Sequence, residues 1–266
     1  MHQSISRTIT KIDGGKRIES RDDIAVEEPC EIRLGDEAVA VTMRTPGHDA
    51  ELAAGFLFSE GVVAAGDIAA ISHCPDADEL HPDNVVEVRL GPGKRPRRDL
   101  RRHFFASSSC GICGKATIEA IHVNAPPALP GPMVSAASLA SMMECMSQRQ
   151  DGFAATGGLH AAGLFDAAGN LRAVREDVGR HNAVDKVIGR ALLEEWFPLD
   201  DHVLLVSGRT SFEIVQKALV ARIPVVAGVS APSSLAVAFA AESNMTLIGF
   251  LRRPTMNVYA GAERVV

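Results

Sequence analysis

Apolar and polar residues alternate from Glu31 to Leu34 and again from Ala38 to Arg44, around Gly35-Asp36. A period of two marks a strand with one buried face. A Gly-Asp corner between two such runs predicts a hairpin. Thr45-Pro46-Gly47 ends the second strand. Leu52, Ala53, Phe56 and Leu57 then fall on one face of a short helix, with Asp49 as its N-cap and Gly61 closing its far end. Asn84 to Leu90 alternates again and predicts a further strand.

After Pro126-Pro127 and Pro130-Gly131-Pro132 the pattern becomes helical, with Leu139, Met142, Met143 and Met146 on one stripe that reads as core filler. Beyond Gly158 the order changes once more. Gly158 to Phe165 and Leu171 to Glu176 read as strands, followed by a helix from Asn182 to Trp196. His202 to Val206, Val225 to Val229 and Leu247 to Leu251 are apolar strands separated by helices that begin at Thr210 and at Ser234. Thr210-Ser211-Phe212-Glu213 has the spacing of a capping box. Apolar strands alternating with helices predict a parallel sheet covered on both faces.

Composition narrows the class. The chain has 266 residues, 46% hydrophobic and 23% charged, which is the balance of a globular protein with a real core. No apolar run reaches the roughly 18 residues that span a bilayer, so no membrane segment is expected. The opening MHQSISRTITKIDGG has no apolar core of the secretory kind, so a cytoplasmic protein is expected. A net charge of −6 argues against general nucleic-acid binding. One run reverses that sign: Lys94, Arg95, Arg97, Arg98, Arg101 and Arg102 lie between Gly91 and His103. It reads equally as a solvated linker or as a site for phosphates or an acidic partner.

The five cysteines are an odd number in a long chain without an export signal, which argues against a disulfide framework. Cys30, Cys74 and Cys145 stand alone and read as small apolar residues. Cys110 and Cys113 differ. They sit in Ser109-Cys110-Gly111-Ile112-Cys113-Gly114-Lys115, where glycines leave the thiols open and Lys115 favours the thiolate. Structural zinc needs two more ligands at matching spacing, and no second Cys-x-x-Cys exists, so no metal is expected. A thioredoxin-like site needs a strand-to-helix context that the basic run upstream does not supply. Persulfide chemistry needs only one exposed nucleophile and tolerates a second thiol nearby.

Other segments suit anion binding. Ser207-Gly208-Arg209-Thr210-Ser211 joins an apolar strand to a helix start, where free backbone N–H groups attract phosphates, although a plain capped loop would look the same. Arg252 and Arg253 leave the last apolar strand, and arginine forks onto phosphate. Asp177, Arg180, His181, Asp185 and Lys186 crowd a strand-to-helix joint. They could form a buried ion network around a ligand, but taken alone they read better as surface pairs on a capped helix.

Together these segments resemble one family, the formate dehydrogenase accessory sulfurtransferases (FdhD). The matching pieces are MRTPGHDAELAAGFLFSEG, SSCGICGKATIE, FAATGGLHAA, EDVGRHNAVDKVIG, SGRTSFEIVQKA, SAPSSLAVAFA and GFLRRPTMNVYAG, in family order from about Thr42 to Tyr259. The resemblance implies an α/β protein: a cytidine-deaminase-like three-layer α/β/α sandwich with a smaller N-terminal β-rich α+β part. The parts divide as 1–103, a Cys-x-x-Cys loop and connector at 104–135, and a cofactor-binding part at 136–266. It implies no zinc hydrolysis, because His160 is followed by Ala161-Ala162 and Ser109 precedes Cys110, neither of which fits the deaminase signature.

The implied activity is sulfur transfer from a cysteine desulfurase to the molybdenum cofactor of formate dehydrogenase, bis-molybdopterin guanine dinucleotide. Cys110 would carry the persulfide and Cys113 would assist or relay. Phe250, Leu251, Arg252, Arg253, Pro254 and Thr255 would bind the cofactor, and the protein would be a homodimer. A chaperone that holds the cofactor without transferring sulfur needs the same cofactor site, and the sequence does not separate the two.

Overall fold

The computed structural model describes residues 3–74, 82–97 and 125–266, which form three sheets and six α-helices. The first sheet is a ribbon of two ten-residue strands, β1 (Ser4–Asp13) and β2 (Lys16–Ala25). The second has four strands in the order β4-β3-β6-β5, made of β3 (Glu28–Leu34), β4 (Glu37–Arg44), β5 (Ile68–His73) and β6 (Val85–Leu90). The hairpin expected around Gly35-Asp36 is its β3–β4 pair. Gly35 has φ 57°, a left-handed conformation that glycine adopts without strain.

The helix α1 (Asp49–Ser59) packs on the second sheet. Its N-cap is His48, with no side-chain cap, and not Asp49 as the spacing suggested. The reason is electrostatic: Asp49 is buried and takes both ends of the Arg44 guanidinium at 3.0 and 3.2 Å. Arg44 is itself fully buried and also donates to Asn84 at 2.8 Å.

The third sheet has six strands in the order β12-β11-β10-β9-β7-β8. They are β7 (His160–Phe165), β8 (Leu171–Asp177), β9 (Val203–Val206), β10 (Val225–Gly228), β11 (Thr246–Arg252) and β12 (Thr255–Ala260). Only β9, β10 and β11 run parallel. The fully parallel sheet read from the apolar runs is thus a mixed one. β7–β8 and β11–β12 are joined by short turns, which permit only antiparallel pairing, whereas parallel neighbours need a crossover.

Helices cover both faces of this sheet. α4 (Arg180–Leu193), α5 (Phe212–Val220) and α6 (Ser234–Glu242) lie on one side, and α2 (Ala136–Ser147) lies on the other. A short helix, α3 (Asp151–Thr156), follows α2. Strand residues alternate between the two cores: Leu204 and Val206 join the α4–α5 side, Val203 and Leu205 the α2 side. Each fully buried Val or Leu side chain contributes about 1.5–3 kcal/mol through lost water contact.

The two larger units meet where α1 crosses α4, backbone against backbone. A Cβ on Gly55 would lie 1.8 Å from the Asp185 carbonyl oxygen, and one on Gly189 would lie 1.8 Å from the Glu51 carbonyl oxygen. Only glycine allows that approach. Among the described residues no helix is long and apolar enough to cross a membrane.

Candidate functional site

The parallel strands β9, β10 and β11 end on the same edge of the large sheet, and ligands of open α/β sheets bind beyond such edges. Ser207 follows β9 and is pinned to β7 twice. Its N–H donates to the Ala161 carbonyl at 2.9 Å, and its Oγ accepts from the Ala161 N–H at 2.8 Å. Next comes Gly208, where a Cβ would stand 3.2 Å from His160 Nδ1. The missing side chain lets the imidazole lie against the strand end. Burial, together with the nearby Arg180 and Arg209, pushes the His160 imidazole below its ordinary value, so the ring is neutral at neutral pH.

The capping box expected at Thr210-Ser211-Phe212-Glu213 does not form. Ser211 is the N-cap of α5, yet its side chain does not cap, because its Oγ lies 3.1 Å from His181 Nε2. The first turn of α4 is thereby tied to the first turn of α5. Thr210 is fully buried, bonded through its backbone to Ala231 and Ser233, and its Oγ1 has no partner among the described residues.

A cleft of about 440 Å³ opens beside these loops, lined in part by Met143, Met146, Phe153, His160, Ser207 and Val229. The methionine stripe of α2 is therefore not core alone. Leu139, Met142 and Met146 are buried, while Met143 is half-buried and reaches the cleft wall. The opposite wall, α3, is held by Glu176, whose carboxylate accepts from the N–H groups of Gly152 and Phe153 at 2.8 Å each. Sequence reasoning gave Glu176 no such role. It sits well over twenty positions from the N–H groups it binds, with no local pattern to announce it.

The charged segment behind the cleft is a buried network and not a set of surface pairs. Asp177 and Lys186 are both fully buried, 2.6 Å apart. Asp177 also accepts from the Gly179 and Thr45 N–H groups and from Asn182 Nδ2. Lys186 donates to the Thr45 carbonyl at 2.8 Å. The Gly179 bond places the N-cap there, so α4 begins at Arg180, ahead of the expected Asn182. One turn further along, Lys217 Nζ reaches both Asp185 oxygens at 2.8 Å, and Ser59 Oγ donates to Asp185 at 2.8 Å. Burial raises the Asp185 carboxyl above the usual range. Burial also opposes the charge of Lys217, but Asp185 and Glu60 outweigh it and hold that ammonium above its ordinary value.

The segment Phe250–Thr255 turns from β11 into β12 at the same sheet edge. Phe250, Arg252, Pro254 and Thr255 are exposed. Leu251 is fully buried in the α2-side core, so it can offer a ligand only its backbone. Arg253 is exposed but pairs with Glu144 of α2 at 3.0 Å. Cys110 and Cys113 lie outside the described residues, as do Arg98, Arg101 and Arg102 of the basic run. Of that run, Lys94 and Arg97 both face Asp67, at 2.8 and 3.6 Å. Cys30 is fully buried and its thiol is pushed up to about 12 by burial and by Asp49, which makes it inert.

The FdhD/NarQ family model matches residues 25–266. A Sulfur carrier protein FdhD from Mycolicibacterium paratuberculosis is 50% identical over 271 residues, covering the whole of both chains. One from Streptomyces coelicolor is 52% identical over 266 residues, covering 97% of this chain and 94% of its own. The crystal structure of a candidate formate dehydrogenase accessory protein from Desulfotalea psychrophila is 27% identical and superposes with a TM-score of 0.80, covering both chains entirely. With a family model spanning nearly all of it and relatives matching end to end, the chain belongs to the FdhD/NarQ family.

Proposed function

We propose that this chain is a sulfurtransferase that carries sulfur on Cys110 from a cysteine desulfurase to the molybdenum cofactor of formate dehydrogenase, bis-molybdopterin guanine dinucleotide. The observation that carries the reading is end-to-end similarity to relatives named sulfur carrier protein, in a chain with a Gly-flanked Cys110-x-x-Cys113 pair.

In the loading step the Cys110 thiolate attacks the outer sulfur of the desulfurase persulfide. The donor S–S bond breaks, a new S–S bond forms at Cys110, and the desulfurase leaves as a thiolate, with no net oxidation. Delivery needs hydrosulfide, two electrons more reduced. The Cys113 thiolate attacks Cys110 at its inner sulfur, hydrosulfide departs, and a Cys110–Cys113 disulfide remains. The two thiols have supplied the electrons, and a cellular dithiol resets them. Hydrosulfide can then exchange for an oxygen ligand of the cargo metal.

The cargo's pyrophosphates suit the sheet edge, where Arg252, the first turn of α5, and Arg180 and Arg209 near His160 offer positive charge. The larger unit is read as a cytidine-deaminase-like sandwich adapted to hold cargo, working in the cytoplasm beside the desulfurase. Intact-mass analysis after incubation with cysteine and a desulfurase tests the reading. A gain of one sulfur on the Cys110 peptide is expected. A folded Cys110→Ala variant that still yields active formate dehydrogenase overturns sulfur transfer and leaves only a cofactor-holding role.

A further inference from the structure

His160 opens β7 at the same sheet edge as Ser207, because β7 runs antiparallel to β9. Its imidazole is half-buried and lines the cleft of about 440 Å³ beside α2 and α3. Neither ring nitrogen has a hydrogen-bond partner among the described residues. The charges facing the ring come from three places: Asp177 at the end of β8, Arg180 in the first turn of α4 and Arg209 after β9. The cleft lining itself carries no acidic or basic side chain besides this ring. Its serine, glutamine, methionine and phenylalanine side chains neither gain nor lose a proton near neutral pH, so among the described residues His160 is the one lining group that can. A cleft without lysine or arginine is a poor seat for phosphates, which belong with the arginines, and it leaves room for the other end of the cargo. Three strand spacings, roughly 14 Å, separate the end of β11 at Arg252 from the start of β7. A cargo with its phosphates at Arg252 reaches the cleft by lying across the ends of β10 and β9.

Resting on the sulfur-delivery reading above, we propose that the cleft seats the metal end of the cargo and that His160 carries the proton that exchange of oxygen for sulfur requires there. Hydrosulfide brings one proton on its sulfur, and the departing oxygen needs two to leave as water. With hydrosulfide on the metal, a nitrogen of the neutral ring takes its proton. The S–H bond breaks and its electron pair stays with sulfur. The imidazolium then returns the proton to the oxygen ligand, and an O–H bond forms. A second proton from solvent turns that oxygen into water, which departs. Oxide, hydrosulfide and one proton thus become sulfide and water, and no electron changes hands. The ring suits the task because burial and the two arginines keep it neutral, with Asp177 opposing them. An imidazole already protonated at neutral pH has no lone pair to offer. One tied to a fixed partner would be held in a single tautomer, whereas His160 is free to take a proton and to give it back.

The test starts from the full chain already loaded with sulfur at Cys110, verified by intact mass. Delivery to the cargo is followed in a single turnover, with pH varied in that step alone and formate dehydrogenase activity then read at one fixed pH. Wild-type delivery should be level around neutral pH and fall in acid as the ring takes up a proton, with a midpoint below 6.5. His160→Gln should load sulfur and bind GDP as the wild type does, deliver roughly a hundredfold more slowly, and lose that acid fall. Arg209→Ala, at an exposed position, should move the fall to higher pH, because it removes a charge that holds the ring's value down. A purely structural role for His160 would leave the pH midpoint where it is in both variants. A His160→Gln chain that delivers at the wild-type rate, keeps the acid fall or loses GDP affinity in step with delivery overturns the inference and leaves sulfur carriage standing. So does an Arg209→Ala chain whose midpoint stays in place. A wild-type chain that takes no sulfur onto Cys110 overturns the carrier reading itself, and this inference with it.

Discussion

Lys186 and Arg252 are both cations near the carboxyl edge of the large sheet, yet they stand in opposite surroundings. Lys186 is fully buried in α4, 2.6 Å from Asp177 and bonded to the Thr45 carbonyl. Arg252 ends β11 in the open. Water is gone from the first site, so its charges are committed to one another, and removing either leaves the other stranded. The second site keeps its solvent and its freedom, so it adds little to folding and remains available to a ligand. The same contrast holds for Asp185 with Lys217 against Arg253 with Glu144. Charge that holds the units together is buried where α1, α4 and α5 meet, and charge suited to cargo is displayed at the rim.

Lys186→Ala is the harshest way to break this contrast. Stripping one partner from a buried pair costs about 3–5 kcal/mol, and chemical denaturation should read a loss of that order. Asp177→Asn with Lys186→Met in one chain should cost clearly less, because no charge is then left unpaired. Equal losses in the single and the double variant would mean that packing, and not charge, holds the joint.

At the rim the expectation reverses. Arg252→Ala should leave stability within about 0.5 kcal/mol while weakening binding of GDP, a stand-in for the guanine dinucleotide. A charge-assisted contact is worth about 1.5–3 kcal/mol, so the loss should be roughly tenfold to a hundredfold. Unchanged GDP affinity would move the phosphates toward Arg180 and Arg209 near His160.

A gentler probe is acid. Glu51 is buried and held at about 2, down from 4.5: burial pushes its carboxyl up, but Arg175 and His48 pull it down further. The folded value lies below the unfolded one. Its contribution to stability is therefore complete above pH 4.5 and fades as pH falls from there toward 2. Thermal melts should show Glu51→Gln less stable than wild type at neutral pH, with the two curves converging in that acid window. Curves that stay parallel would show that the Arg175 pair contributes nothing.

Much of this was legible in the chain. The β3–β4 hairpin, the apolar strands β9 to β11 and the helix α2 follow from period-two and period-3.6 patterns, because burial imposes those periods on side chains. The β1–β2 ribbon was missed because no core forces an alternation onto it: isoleucine and charged residues lie on both of its faces. The position of the 250–255 segment at the sheet edge agrees with its reading as an exit from the last apolar strand, but the burial of Leu251 and the Glu144 partner of Arg253 were not visible.

The sequence alone determined the strands and helices that face a core, such as β3, β4, β9 to β11 and α2, and that Cys110 and Cys113 form a spaced thiol pair beside Lys115, because those properties depend on neighbours within a few positions. Tertiary structure decided what the charges do. Asp49 reads as a helix cap until Arg44 and the surrounding core claim it, Ser211 reads as a cap until His181 draws its hydroxyl away, and Asp177 with Lys186 reads as a surface pair until the loop at Thr45 closes over both. Each of these outcomes turns on partners distant in the chain and on the removal of water, and the worth of an ion pair or a hydrogen bond is set by that local dielectric and not by sequence spacing.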